Sequence, residues 1–140
     1  MYASDRRTPT KRKRARHVLG ILSRTHRGVL TAQILAEYFD AITRKQAFAH
    51  DPCTATARIT EYRRDFVVLD TTPRIVLEAA RGVCAYGFRI YDAQIWASAR
   101  LNGIRLVLSE DFEDGREIEG VLFRDPFAPD FDPEAVFAAI

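Results

Sequence analysis

The chain has 140 residues, 47% hydrophobic and 29% charged, the balance of one soluble domain with its own core. No apolar run approaches the roughly 20 residues that span a bilayer, and no apolar stretch of signal-peptide type comes after the basic N-terminus, which excludes a membrane partner and leads us to expect a cytoplasmic protein. Cys53 and Cys84 stand alone, which excludes a disulfide scaffold and a structural zinc site; both are expected to be free, mostly buried thiols.

The net charge of +2 is unevenly spread. Residues 1–36 hold nine Lys or Arg against one acid, Asp5, a balance of +8, and the remainder carries −6. Such asymmetry suits a polyanion held near a metal centre. The run "KRKRAR", with Lys11, Arg12, Lys13, Arg14 and Arg16, is the candidate RNA-binding stretch, although such a run is more often a solvated helix face.

In chain order, "TPTKRKRARHVLGILSRT" predicts a helix, with Pro9 in its first turn and Ala15, Val18, Leu19 and Leu22 on one face. Residues 1–27 form a basic helical segment on this reading. A short strand "GVL" comes next, then a helix over "TAQILAEYFDAITRK" with Ile34, Leu35, Tyr38, Phe39 and Ile42 at helical spacing. Asp51-Pro52 restarts a helix containing Ile59 and Tyr62, and "FVVLD" is a β-branched strand ending at Asp70. "TPRIVLEAARGVCAYG" is a punctuated helix, with Thr72 at the N-cap, Pro73 at the first position and Gly87 past the end. "YDAQIWASARLNG" predicts another, capped by Asp92 and stopped at Asn102-Gly103, then "IRLVLS" a strand and "IEGVLFRDPF" one more strand or edge. Residues 128–140 are left as a C-terminal tail. Helices interleaved with short, continuously apolar strands indicate an open α/β sandwich with a parallel sheet, in a single domain over 1–140.

In such sheets ligands bind beyond the carboxyl ends of the strands, where Asp111 falls, just after "LVLSE". Asp92 opens a helix and Glu37 lies inside one. Two unpaired carboxylates about 4 Å apart repel by ~1 kcal/mol in water and ~4 kcal/mol at an effective dielectric near 20, a penalty that a cation removes. Carboxylates with no His or Cys at ligand spacing favour a hard cation, Mg²⁺ or Mn²⁺. Each acid also has a plainer reading: Asp92 as an N-cap, Glu37 as a polar helix position, "SEDFEDG" as an acidic turn.

"YDAQIWASARLNGIRLVLSEDFEDGREIEGVLFRDPF" resembles the C-terminal half of PIN-domain proteins, the group that includes the VapC-type toxin ribonucleases. The order of Tyr91-Asp92-Ala93, the small run Ala97-Ser98-Ala99, the Gly103 turn, the strand and Ser109-x-Asp111 carries the resemblance, and "VLTAQILAEYFDAITRK" resembles the segment around the family's helical glutamate, here Glu37. The resemblance implies a PIN-like three-layer sandwich, a short central parallel sheet flanked by helices. It implies a Mg²⁺- or Mn²⁺-dependent endoribonuclease, with Glu37, Asp92 and Asp111 as catalytic acids and metal ligands and Ser109 as the hydroxyl beside them. Glu110, Glu113 and Asp114 are expected to be solvated or outer-lying. The implied partners are an RNA substrate, a small cognate antitoxin protein and a second copy of the chain.

One departure stands out. The family begins with an apolar strand ending in an Asp-Thr/Ser-Asn type motif, and "MYASDRRTP" resembles the segment just beyond that motif, so the first strand and its aspartate are expected to be missing, with Asp5 a poor substitute. The chain is then either opened late, at an internal Met1, or a catalytically weak relative. Two other classes stay open: a non-catalytic PIN-like module that binds RNA or protein, and a phosphate-transfer α/β domain of receiver or haloacid-dehalogenase type. For the last there is no Gly-rich phosphate loop.

Overall fold

The computed structural model describes Ala3, residues 8–44 and residues 51–139. The chain divides into two compact units, Met1–Asp70 and Thr71–Ile140, each with its own small sheet. Asp5, His50 and the N-terminal residues expected to lie just beyond the family's first strand are outside the described residues, Ala3 excepted.

The first unit runs α1 (Pro9–Thr25), β1 (Val29–Thr31), α2 (Ala32–Arg44), α3 (Pro52–Asp65) and β2 (Val67–Leu69). Helix α1 starts at its proline and closes at His26, which takes the left-handed conformation (φ 52°) and donates its N–H to the Ser23 carbonyl. Its buried stripe runs through Val18 and Ile21, with Ala15, Leu19 and Leu22 half-buried beside them. The hydroxyl of Thr31 accepts the Ile34 N–H at 3.1 Å, so the end of β1 turns directly into α2. Asp51 caps α3, accepting the Thr54 hydroxyl at 2.6 Å and the Thr54 N–H at 3.0 Å; those bonds hold its carboxyl below the usual range.

Tyr38 and Ile42 of α2 meet Ala55 of α3 in a small buried cluster, covered by Phe39, Ile59 and Tyr62. Burial raises the Tyr62 phenol well above its ordinary pKa, with Tyr38 adding to the shift. Strands β1 and β2 pair in parallel, Val29 opposite Val67 and Thr31 opposite Leu69. A side chain at Gly28 would meet the Phe66 ring at 2.2 Å, so only glycine lets the chain enter β1 past that ring.

The second unit runs α4 (Pro73–Tyr86), α5 (Ile90–Leu101), β3 (Leu106–Leu108), β4 (Glu117–Ile118), β5 (Val121–Arg124) and α6 (Pro133–Ala138). Helix α4 has the punctuation expected of it: the Thr72 hydroxyl accepts the Ile75 N–H, Pro73 opens the helix and Gly87 (φ 71°) ends it. Strand β3 pairs in parallel with β5, and β4 pairs antiparallel with β5. The "IEGVLFRDPF" segment is thus more than one strand or edge: Glu119 and Gly120, with φ of 49° and 80°, fold it into a tight hairpin. The tail segment holds α6, capped by Asp132 and anchored by buried Phe137 against Phe131.

Helix α5 carries the core. Its small run Ala97-Ser98-Ala99 is buried, and it packs against α4, β3 and β5. Trp96 is fully buried and donates its indole N–H to the Ile118 carbonyl at 3.2 Å. Phe88 and Tyr86 lie against that ring with centroids 5.8 and 5.6 Å away. At Gly82 of α4 an added Cβ would sit 2.7 Å from the indole, so glycine there lets the two helices close on Trp96.

Two expectations need correction. Asp92 is not the cap of α5; the cap position is Arg89, which offers no side-chain bond, and the helix starts at Ile90, two residues after Phe88, which is held in the aromatic cluster. Asp92 falls in the first helical turn, where the helix dipole favours a carboxylate. Cys53 and Cys84 are exposed, because Cys53 lies in the first turn of α3 and Cys84 on the outward face of α4, away from the stripe of Ile75, Ala79 and Gly82.

Candidate functional site

The acids singled out from the sequence fall in both units. Glu37 is an exposed residue of α2 and accepts the Gln33 amide at 2.6 Å, one helical turn back. Asp92 and Asp111 belong to the second unit, and the fold brings their segments to one rim. The chain reverses at 102–105 between α5 and β3, so the start of α5 returns to the end where β3 finishes. Phe88, just before α5, packs edge-on against Phe112, just after Asp111, with centroids 5.4 Å apart. Phe112 is also stacked on Phe123 of β5 at 4.0 Å. The aromatic trio pins the segments bearing Asp92 and Asp111 together at the carboxyl end of the parallel pair, where open α/β sheets bind ligands.

Along this rim Asp92 is half-buried and Asp111 is exposed. The Ser109 hydroxyl accepts the Asp111 N–H at 3.1 Å, and the Ser109 N–H donates to the Arg124 carbonyl at 3.0 Å, so Ser109 fixes the backbone that presents Asp111. The other acids of "SEDFEDG" are not one undifferentiated cloud. Asp114 accepts the Asp125 N–H at 2.7 Å and the Arg124 guanidinium at 2.9 Å, and these bonds hold its carboxyl below the ordinary range. Asp114 is therefore a clamp between the acidic turn and the end of β5.

Among the described residues no three His, Cys, Asp or Glu side chains are grouped so as to hold a metal ion. The donor chemistry of Asp92 and Asp111 suits a hard cation, but the described carboxylates do not by themselves make the ligand set such an ion needs.

Sequence reasoning missed a second cluster in this unit. Glu119, on the hairpin turn, accepts the Tyr86 hydroxyl, Arg81 at 2.8 Å and Arg100 at 2.5 Å; Glu78 accepts the same two arginines at 2.6 and 3.0 Å. Both guanidinium groups lie over Trp96, at 5.2 and 6.0 Å from its ring centre. Glu78, bonded to Arg81, and Glu119, bonded to the Tyr86 hydroxyl and both arginines, have lowered pKa values, and Arg81 is raised by the two carboxylates. Two cations and two anions close on each other, so this is a lock on the core. The only trace in the sequence is the i,i+3 spacing of Glu78 and Arg81.

An α/β chain with parallel strand pairs and acids displayed at a strand end is the class these features define. Within that class, the model of the PIN domain matches residues 8–114, most of the chain, and the protein belongs to the PIN-domain family, whose members are generally metal-dependent nucleases. No curated protein matches the chain. Among the described residues no helix is long and apolar enough to cross a membrane.

Proposed function

We propose that this chain is an endoribonuclease of PIN type, dependent on Mg²⁺ or Mn²⁺, acting through Asp92 and Asp111 on the rim of the second unit, with Glu37 as the third acid of the family pattern. The observation that supports it best is the Phe88–Phe112 contact, which ties the residue before α5 to the residue after Asp111. In this reading Asp92 and Asp111 are the anionic groups of the reaction site, and Ser109 positions Asp111 through its backbone.

The likeness of residues 91–127 to VapC-type toxins supports a finer reading: the toxin of a two-component pair in the cytoplasm, held inactive by a small antitoxin. Co-expression with the adjacent small gene is expected to suppress RNA cleavage and raise soluble yield; a neighbour that fails to bind in a pull-down removes the toxin role.

The test of the nuclease is cleavage of single-stranded RNA with Mn²⁺, Mg²⁺ or chelator, using the parent chain, Asp92→Asn and Asp111→Asn. The amide keeps the shape and loses the charge, so the rate should fall by about two orders of magnitude or more with the fold intact. Equal rates in parent and variants sink the assignment.

A non-catalytic module that binds RNA or protein is the second reading, favoured by the basic face of α1, where Arg12, Lys13 and Arg16 line one hollow. Binding of RNA by the parent chain without cleavage in Mn²⁺ or Mg²⁺ would select it.

A further inference from the structure

We propose that a cavity in the first unit, between α1 and α3, binds one nucleotide unit of a single-stranded RNA, with the phosphate on Arg12 and Arg16 and the base against Tyr62. The inference rests on the reading of the chain as an RNA-directed protein and adds to it a binding site made of residues other than the acids. The cavity has a volume of about 430 Å³, within the ~300–1,000 Å³ typical of small-ligand sites. One wall is α1, where Arg12 and Arg16 are one turn apart and both line the space. The facing wall is α3, which contributes Arg58 and Tyr62 at the same spacing.

Its floor is aromatic. Tyr62 touches Tyr38 edge-on at 5.3 Å and Phe66 at 6.0 Å, and all three rings line the cavity. Tyr62 is half-buried, its ring held by those neighbours and therefore preorganised. The lining also contains Glu61 and Asp65, but each already holds a cation: Glu61 pairs with Arg58 at 2.9 Å and Asp65 with Arg64 at 3.0 Å. Arg16 donates its Nε–H to the neutral Ala3 carbonyl at 3.0 Å, and the ion pairs among the described residues join neither it nor Arg12 to a carboxylate. Two guanidinium groups, each with five N–H donors, beside a fixed ring are the elements that hold a phosphate and stack a base. A second hollow, lined by Pro9, Arg12, Lys13 and Arg16, continues the basic surface along α1 and gives a strand room for a neighbouring phosphate.

The experiment is fluorescence anisotropy of a labelled 12-nucleotide RNA on the full chain, with chelator present so that nothing is cut. Arg12→Gln/Arg16→Gln should bind at least about tenfold more weakly and, at about 0.7 per phosphate contact, show a log–log salt slope shallower by about 1.4. Tyr62→Leu should lose affinity severalfold with the slope unchanged. An oligomer of the same length with an abasic backbone should bind the parent severalfold more weakly, which tests the stacking without altering the protein.

Parental affinity and slope in the double variant, with a parental melt, overturn the proposal. So does an abasic strand that binds as tightly as the RNA, or an acidic peptide of equal charge that competes as well as RNA. Asp92→Asn/Asp111→Asn, assayed for cleavage with Mn²⁺, tests the nuclease assignment separately. If that variant binds RNA normally and also cleaves normally, the nuclease assignment falls and this site stands.

Discussion

Arg81 and Arg100 of the second unit differ from Arg12 and Arg16 of the first in what neutralises them. The first pair lies on Trp96 and is closed by Glu78 and Glu119, so its charge is spent inside the protein. The second pair borders a cavity and meets no carboxylate among the described residues. The cores differ in kind: one unit is built around a fully buried indole with aromatic rings on several sides, whereas among the described residues of the other Tyr38, Ile42 and Ala55 form one cluster and Val18, Ile21 and Phe66 are buried as well. Arginine content alone therefore says little about binding. What decides is whether the fold supplies the counter-charge.

The largest effect should come from removing the ring on which the second unit is assembled. Trp96→Ala is expected to cost about 3–5 kcal/mol, and Ile42→Ala, at a fully buried site in the first unit, about 2–5 kcal/mol. Urea unfolding monitored by circular dichroism measures both. If Trp96→Ala costs less than about 1 kcal/mol, well below the usual range for a large core residue, the contrast between the cores is lost.

Gly82→Ala tests packing from the other side. The added methyl meets the indole 2.7 Å away, and the overpacking should destabilise by about 1–3 kcal/mol and shift Trp96 emission, which is the sole tryptophan signal. A neutral result would mean α4 and α5 can part without loss.

Helix caps offer a like-for-like comparison, because both α3 and α4 begin with a side-chain cap and then a proline. Asp51→Ala and Thr72→Ala should each cost about 1 kcal/mol. Asp51 has the larger bond set, so its loss should be the greater, and the reverse order would contradict the capping geometry.

The smallest effect is a pH dependence of the lock. Glu78 and Glu119 have folded pKa values below their ordinary 4.5, so the unfolded chain binds their protons more readily. Their contribution is fully present above about pH 4.5 and is lost as pH falls through the lowered folded values. Glu78→Gln/Glu119→Gln should flatten the acid limb of the Tm–pH curve while leaving Trp96 buried. A parental acid limb in that variant would mean the ion cluster is screened out in solution.

Local periodicity and punctuation are enough to predict α1 to α5 and the strands β1, β2 and β3, since a proline, a capping hydroxyl and an apolar stripe act within a few residues of one another. The acids Asp92 and Asp111 are legible as well, as a helix start and a strand end, and the segment that holds them carries the PIN resemblance. The tertiary structure decided the rest. A carboxylate before an apolar run usually caps its helix, but at Asp92 the seating of Phe88 in an aromatic cluster starts the helix earlier. The hairpin at Glu119-Gly120 is hidden because its two strands are too short to show alternation, and the cysteines are exposed because the apolar stripe of each helix turns elsewhere. The cavity floored by Tyr62 and the cluster over Trp96 join residues far apart in sequence: Arg81 meets Glu119 from 38 positions away. Contacts of that span leave no period in the chain, because only packing brings their partners within hydrogen-bonding distance.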